Sequence, residues 1–307
     1  MKQAFTMSPT IVRASAGRRT RSGFATFGPM AVPSAALRRY HPKWRTHRDG
    51  NKFDRLEEFA AILPRLRARV TADLAKPGLR RDTVLATVVQ LLEKSLIRVG
   101  NDEYAKENKS FGLTTLRDTH VQVKGATVRF RFRGKSGKQH HVSVNDRRLA
   151  RIIRQCRDLP GQELFQYLDD EGEIQDVTSS DVNDYLREMT GADFTAKDFR
   201  TWSGTVLAAI ALREQSSAET MAAAKKNVVR AVEAVAGVLG NTPAVCRKSY
   251  IHPAVLDCYM DRSMDEKLTR TMPAAVKKIA SKLRADEVAA FKLLHCAKST
   301  AHQRKAA

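Results

Sequence analysis

Apolar positions first fall into a regular pattern at residue 53. Phe53, Leu56, Phe59, Ile62 and Leu63 recur at helical spacing, and Pro64 is expected to kink that helix or to begin a second one. After the break at Lys76-Pro77-Gly78, the positions Val84, Val88, Leu91, Leu92 and Ile97 repeat the helical period, with Gly100 expected to end it. The period then shortens to two. Val121 and Val123, then Val128, Phe130 and Phe132, then Val142 and Val144 alternate with polar residues, which predicts an antiparallel sheet turning at "KGA" and "GKSGK". Arg129, Arg131 and Arg133 fall on the face opposite Val128, Phe130 and Phe132, so one face packs and the other offers cations.

From "NDRRLARIIRQCRDLPG" onward the pattern is helical again, with "DDEGE" as an exposed turn and "TSSDVNDYLREMTG" as a capped helix. "TAKDFRTWSGTVLAAIAL" and "SAETMAAAKKNVVRAVEAVAGVLG" predict two more helices. In "NTPAVCRKSY" Thr242 is placed to cap a helix with Pro243 at its first position, which sets Tyr250 about two turns along. The "PAAVKKIASKLRADEVAAFKLLHCAK" stretch is expected to close the body, with residues 301–307 frayed. Residues 1–39 show neither period and are punctuated by Gly, Pro and Ser, as expected of a basic, poorly ordered arm. The prediction is an α+β fold: a mainly α-helical domain over residues 40–300 with a small antiparallel sheet.

Charge narrows the function. Lys plus Arg number 54 against 33 Asp plus Glu, a formal net charge of +21. Ten of those basic residues precede the first acid, Asp49, and setting them aside leaves the rest at +11, so the folded body is basic as well as the arm. Such an excess points to nucleic acid, since each neutralised phosphate releases condensed counterions. Cys156, Cys246, Cys258 and Cys296 lie far apart with no CxxC pair, which predicts reduced packing thiols in an intracellular protein. No window approaches the length of apolar sequence needed for a membrane helix.

Several chemistries are excluded by pattern. "RGKS" (133–136) resembles the end of a phosphate-binding loop, but Arg129 stands where the leading glycine is required and a strand follows, so no ATP site is implied. His140 and His141 are neighbours in a strand, point to opposite faces and cannot share a metal. The acidic run Asp169, Asp170, Glu171 and Glu173 reads as a solvated turn, and no GxSxG is present. Breaking a phosphodiester without a metal then needs guanidinium groups for the non-bridging oxygens, an ammonium to protonate the departing alkoxide and a nucleophile from the protein. A tyrosine suits a reversible version, because its phosphate ester keeps the bond energy and its phenoxide can leave again.

Four segments then become specific: "LIRVGNDEYAKENKSFGLTTL" (96–116), "FRGKSGK" (132–138), "KDFRTW" (197–202) and "GNTPAVCRKSY" (240–250). Their order and spacing resemble the type IB DNA topoisomerases, above all the compact poxvirus and bacterial branch, over most of the chain from about Tyr40. The resemblance implies relaxation of double-stranded DNA through a 3′-phosphotyrosyl link, with no ATP, metal or other cofactor, by a monomer acting on the nucleoid in the cytoplasm. It implies Tyr250 as nucleophile, Arg98 and Arg200 as the pair on the non-bridging oxygens, and Lys135 as the acid for the 5′ oxygen. Tyr104 and Lys138 would contact DNA. Asn241 stands where poxvirus-type enzymes carry histidine; its amide can donate a hydrogen bond to a phosphate oxygen but can neither add charge nor transfer a proton. Relatives also carry a folded N-terminal β-rich domain, against the 39 unpatterned residues here, so weaker clamping of the duplex is expected. Two other readings remain: a tyrosine recombinase, which usually shows His-x-x-Arg where this chain has Lys197-Asp198-Phe199-Arg200, and a DNA-binding remnant without catalysis.

Overall fold

Leu56–Asp73 forms the first helix, α1, and it passes through Pro64 without interruption. The proline does not start a second helix: Leu56, Phe59, Ala60 and Leu63 before it and Leu66 and Val70 after it are all buried. Burial of large apolar side chains at about 1.5–3 kcal/mol each outweighs the roughly 3 kcal/mol that an interior proline costs. This computed structural model describes residues 53–215 and 218–306, with no side-chain detail beyond residue 299. The arm expected over residues 1–39, and the start of the domain at Tyr40, lie outside the described residues.

Helix α2 (Arg81–Ser95) is buried along Val84, Leu85, Ala86, Val88, Val89, Leu91 and Leu92, so it runs through the middle of the core. It ends at Ser95, earlier than the stop expected at Gly100, because Leu96 turns left-handed at φ 55°. Residues 96–100 therefore leave the helix as an irregular segment. That segment is fixed from the other side, where Leu113 N–H donates to the Arg98 carbonyl at 2.9 Å and Thr114 N–H to that of Val99 at 2.7 Å. Between the two lies the short helix α3 (Asp102–Asn108), capped by Asn101, whose side chain accepts from Tyr104 N–H at 2.8 Å.

The sheet follows as β1 (Val121–Lys124), β2 (Thr127–Arg133) and β3 (Gln139–Asn145), antiparallel in that order. Val128, Phe130 and Phe132 face the core while Arg129, Arg131 and Arg133 face solvent, as the alternation predicts. Register pairs Phe132 with His140 and Arg131 with His141, so the two histidines do point to opposite faces. Helix α4 (Arg147–Arg157), capped by Asp146, packs back on the sheet. A second antiparallel pair, β4 (Gln166–Leu168) and β5 (Ile174–Asp176), flanks the acidic turn. The helical reading missed it, since strands of three residues are too short to display a period.

Helix α5 (Ser179–Thr190) is capped as expected, and the cap is reciprocal, with Thr178 and Asp181 capping each other. Then come α6 (Ala196–Arg213), α7 (Met221–Leu239), α8 (Pro243–Ser249), α9 (Pro253–Met260), α10 (Met264–Thr269), α11 (Ala274–Ala280) and α12 (Ala285–Ala306). The frayed end expected from residue 301 is helical through Ala306.

Helix α6 is the one that connects core and cleft. Toward the core, Trp202 donates to Glu287 of α12 at 3.0 Å, and Arg67 of α1 forks onto the same carboxylate at 2.9 and 2.6 Å. Burial alone would raise the Glu287 carboxyl, but these hydrogen bonds outweigh it and hold it below the usual range. The opposite side of α6 presents Arg200. Among the described residues no single helix is long and apolar enough to cross a membrane, and no three His, Cys, Asp or Glu side chains gather as a metal site.

Candidate active site

The irregular segment after α2, the hairpin between β2 and β3, the start of α6 and the end of α8 meet around one cleft of about 570 Å³. Arg98, Tyr104, Lys135, Arg200 and Tyr250, which stand up to 152 residues apart in sequence, all line it. Arg200 is 3% exposed. Its guanidinium donates through Nη1 to the Leu96 carbonyl and through Nη2 to the Leu239 carbonyl at 2.7 Å. The left-handed turn at Leu96 and the end of α7 both release carbonyls that an intact helix would occupy. Arg200 thus ties together the chain ends that carry Arg98 and Asn241. Burial, followed by the nearby charge of Arg98, lowers its pKa from the ordinary arginine value, while contact with Tyr250 acts in the opposite direction.

Arg98 donates through Nη2 to Asn241 Oδ1 at 2.5 Å. Among the described residues two donors in this cluster have no partner: Arg200 Nε and Asn241 Nδ2 are both buried without a hydrogen bond. An unpaired buried donor costs about 1–3 kcal/mol, so two of them beside a second guanidinium describe a socket for an anion. Tyr250 closes the far side. It caps α8, its backbone N–H donating to Cys246 at 2.9 Å, and the Arg200 guanidinium lies 5.3 Å from its ring centre. Helix α6 approaches closely here because Gly204 has no side chain: a Cβ there would stand 2.5 Å from the Tyr250 carbonyl oxygen.

Lys135 sits at the exposed tip of the hairpin, in the single helical turn Lys135–Gly137, and reaches the same cleft. Lys138 does not line the cleft; its Nζ donates to the Asn241 carbonyl at 3.1 Å and fastens the hairpin to the α7–α8 turn. Tyr104, 37% exposed on α3, stands at the rim.

A family model described as the catalytic core of eukaryotic DNA topoisomerase I matches residues 41–279. The chain belongs to the type IB DNA topoisomerase family. It is 32% identical over 217 residues to "DNA topoisomerase 1B" of Acanthamoeba polyphaga mimivirus, covering 68% of this chain and 65% of that protein. It is 20% identical over 213 residues to "DNA topoisomerase 1B" of vaccinia virus strain Copenhagen, covering 68% and 64%. Identity to "DNA topoisomerase 1" of Mycosarcoma maydis is 24% over 182 residues, 53% of this chain and 18% of the fungal protein. The chain thus spans just under two thirds of the length of the two viral relatives.

In or beside this topoisomerase-family cleft the sequence reading missed three residues. Lys197 lines the wall one helical turn before Arg200, a placement that the spacing in "KDFRTW" could have signalled. Ser249 lines it beside Tyr250. His140, weighed only as a metal ligand, lies close enough to feel Arg98, Arg200 and Lys138.

Acid sensitivity follows from the segment just after Tyr250. Thr205 accepts the His252 N–H at 3.0 Å and donates to the Tyr250 carbonyl at 3.4 Å, tying that segment to α6. Burial pushes the His252 imidazole down from 6.5 to about 4, against a small opposing effect of Asp54. The unfolded chain takes up this proton first as pH falls. Stability is therefore full above about pH 6.5 and declines toward pH 4, by at most about 3 kcal/mol from this group. His120 and His140 are lowered in the same direction and add to the slope. Urea midpoints measured across that range should fall with pH, and His252→Gln should flatten the fall.

Proposed function

We propose that this protein relaxes supercoiled duplex DNA by cutting and resealing one strand. The single observation that carries the reading is the convergence of Arg98, Lys135, Arg200 and Tyr250 on one cleft with unpaired buried donors beside it. Tyr250 Oη, giving up its proton to solvent, attacks the phosphorus and forms a phosphotyrosyl ester at the 3′ end. The bond to O5′ breaks, and that oxygen leaves with a proton from Lys135. Arg98, Arg200 and the Asn241 amide hold the non-bridging oxygens, whose charge peaks in the five-coordinate transition state. Rotation of the freed end removes supercoils, and attack by the 5′-hydroxyl reverses each transfer. The ester conserves the bond energy, so the cycle needs neither ATP nor a metal.

Double-stranded DNA is the partner. The exposed Arg129, Arg131 and Arg133 and the net charge of +21 support it, and binding should weaken steeply with salt. A monomer working at the bacterial nucleoid in the cytoplasm completes the reading, supported by four buried free thiols and by the location of the substrate.

The test is supercoiled plasmid incubated with the protein in EDTA without ATP. Relaxed topoisomers are expected, and detergent should trap a covalent adduct whose proteolytic peptide carries the nucleotide on Tyr250 with a free 5′-hydroxyl on the other end. Binding without relaxation would instead identify a non-catalytic DNA-binding protein, and strand exchange between plasmids a recombinase.

A further inference from the structure

The hairpin that carries Lys135 has to be held at one distance from the phosphate socket, although its tip is exposed. Two features on its second strand reach across to the α7–α8 turn. One is the bond from Lys138 to the Asn241 carbonyl. The other is the ring of His140. It stacks on Phe132 at 5.1 Å between centres and 10° between planes, and no hydrogen bond holds it among the described residues. One edge of the ring meets the backbone immediately before Lys135: a Cβ on Gly134 would lie 2.5 Å from His140 Cδ2 and 2.6 Å from Nε2. The Cε1 corner meets the backbone immediately before Asn241, where a Cβ on Gly240 would lie 2.9 Å away. Only glycine leaves room for the ring at either place.

We propose that His140 is a positioning residue for strand cleavage: its ring, wedged between Gly134 and Gly240, sets how far the Lys135 turn stands from the anion socket. The wedge works as an uncharged plate. Burial, and then the nearby charges of Arg98, Arg200 and Lys138, lower its pKa and favour the neutral imidazole, with His141 on the opposite face of the strand acting in the same direction. A protonated ring in that place would repel the guanidinium groups it stands among. Phe132 on the stacking face and the two glycines at the edges contribute no charge. The proposal rests on the reading of Lys135 as the acid that protonates O5′, and the experiment separates the two.

The probe is a duplex oligonucleotide carrying a cleavage site mapped from the wild-type covalent adduct, made with either oxygen or sulfur as the 5′ bridging atom. A thiolate leaves without a proton, so a sulfur bridge removes the need for an acid. His140→Ala should slow single-turnover cleavage of the oxygen substrate about 10- to 100-fold, the cost of displacing a catalytic group by about 1 Å, and slow the sulfur substrate less than about threefold. His140→Phe, which keeps the plate and loses both nitrogens, should stay within about threefold of wild type on both substrates. Gly134→Ala, which pushes the turn away from the other side of the ring, should reproduce the sulfur-rescued defect even if His140→Ala fails to fold.

Equal slowing on oxygen and sulfur would overturn the proposal, as would an unchanged rate on oxygen. A loss in His140→Phe as large as in His140→Ala would overturn it too, by assigning a direct role to a ring nitrogen. Lys135→Ala serves as the reference. If sulfur fails to rescue Lys135→Ala, the acid assignment itself is wrong; if sulfur rescues Lys135→Ala but not His140→Ala, only the wedge is.

Discussion

Tyr250→Phe should abolish relaxation of supercoiled plasmid and leave no detergent-stable protein–DNA adduct, while duplex binding and thermal stability stay close to wild type. The change removes one oxygen. The ring remains against the Arg200 guanidinium at 5.3 Å, the backbone N–H still caps α8, and Thr205 still reaches the carbonyl at 3.4 Å. Arg200 loses its polar contact with the Tyr250 oxygen but keeps its bonds to the Leu96 and Leu239 carbonyls, and Arg98 keeps Asn241. Removing the nucleophile of a hydrolytic triad costs on the order of 10⁶ in rate, and an effect of at least about 10⁴ is expected here, because the oxygen that would form the covalent intermediate is gone. Plasmid topology read on a gel and adduct yield after detergent both report it. The informative contrary result is residual relaxation with an adduct on another residue. Tyr104 lines the same cleft, so an adduct mapped there would displace Tyr250 from the assignment.

How much of this was legible in the sequence depended on whether a feature had a period or a motif. The helical faces of α1 and α2 and the alternation along β2 were visible because apolar side chains must share one side of each element. The capping of α8 by Thr242 with Pro243 at its first position was visible because both residues act locally. Leu96 was not legible. A left-handed turn at a β-carbon-bearing residue is set by what the released carbonyl gains, and its partner, Arg200, lies 104 residues away. The same long-range logic hid the wedge at His140, which depends on two glycines from different segments. It also hid the bond from Lys138 to the Asn241 carbonyl. In the candidate site, motif spacing singled out Arg98, Lys135, Arg200 and Tyr250, and folding brings all four to one cleft. Asn241 gains a structural part as well. It accepts from Arg98 through its side chain and from Lys138 through its backbone, and still has a free amide donor for an anion.

Arg200→Ala should lower the single-turnover cleavage rate by about 10² to 10³, in line with the loss of one preorganised donor to a developing anion. Structure adds a second expected effect, on stability. The Arg200 guanidinium satisfies the Leu96 and Leu239 carbonyls, and both would be left without it. An unsatisfied buried acceptor costs about 1–3 kcal/mol; relief of the like charge shared with Arg98 works the other way. A melting temperature lowered by several degrees, together with the slower cleavage, is the expected pair of results. Arg200→Lys distinguishes the two roles. A single ammonium restores positive charge but cannot fork to both carbonyls while aiming a further N–H at the phosphate. Lysine should therefore recover less than about a tenth of the lost rate and leave α7 and the segment at Leu96 unlinked. A lysine variant that cleaves like wild type would mean that charge alone suffices. An alanine variant of normal activity would remove Arg200 from the chemistry and leave it only the task of joining two chain ends.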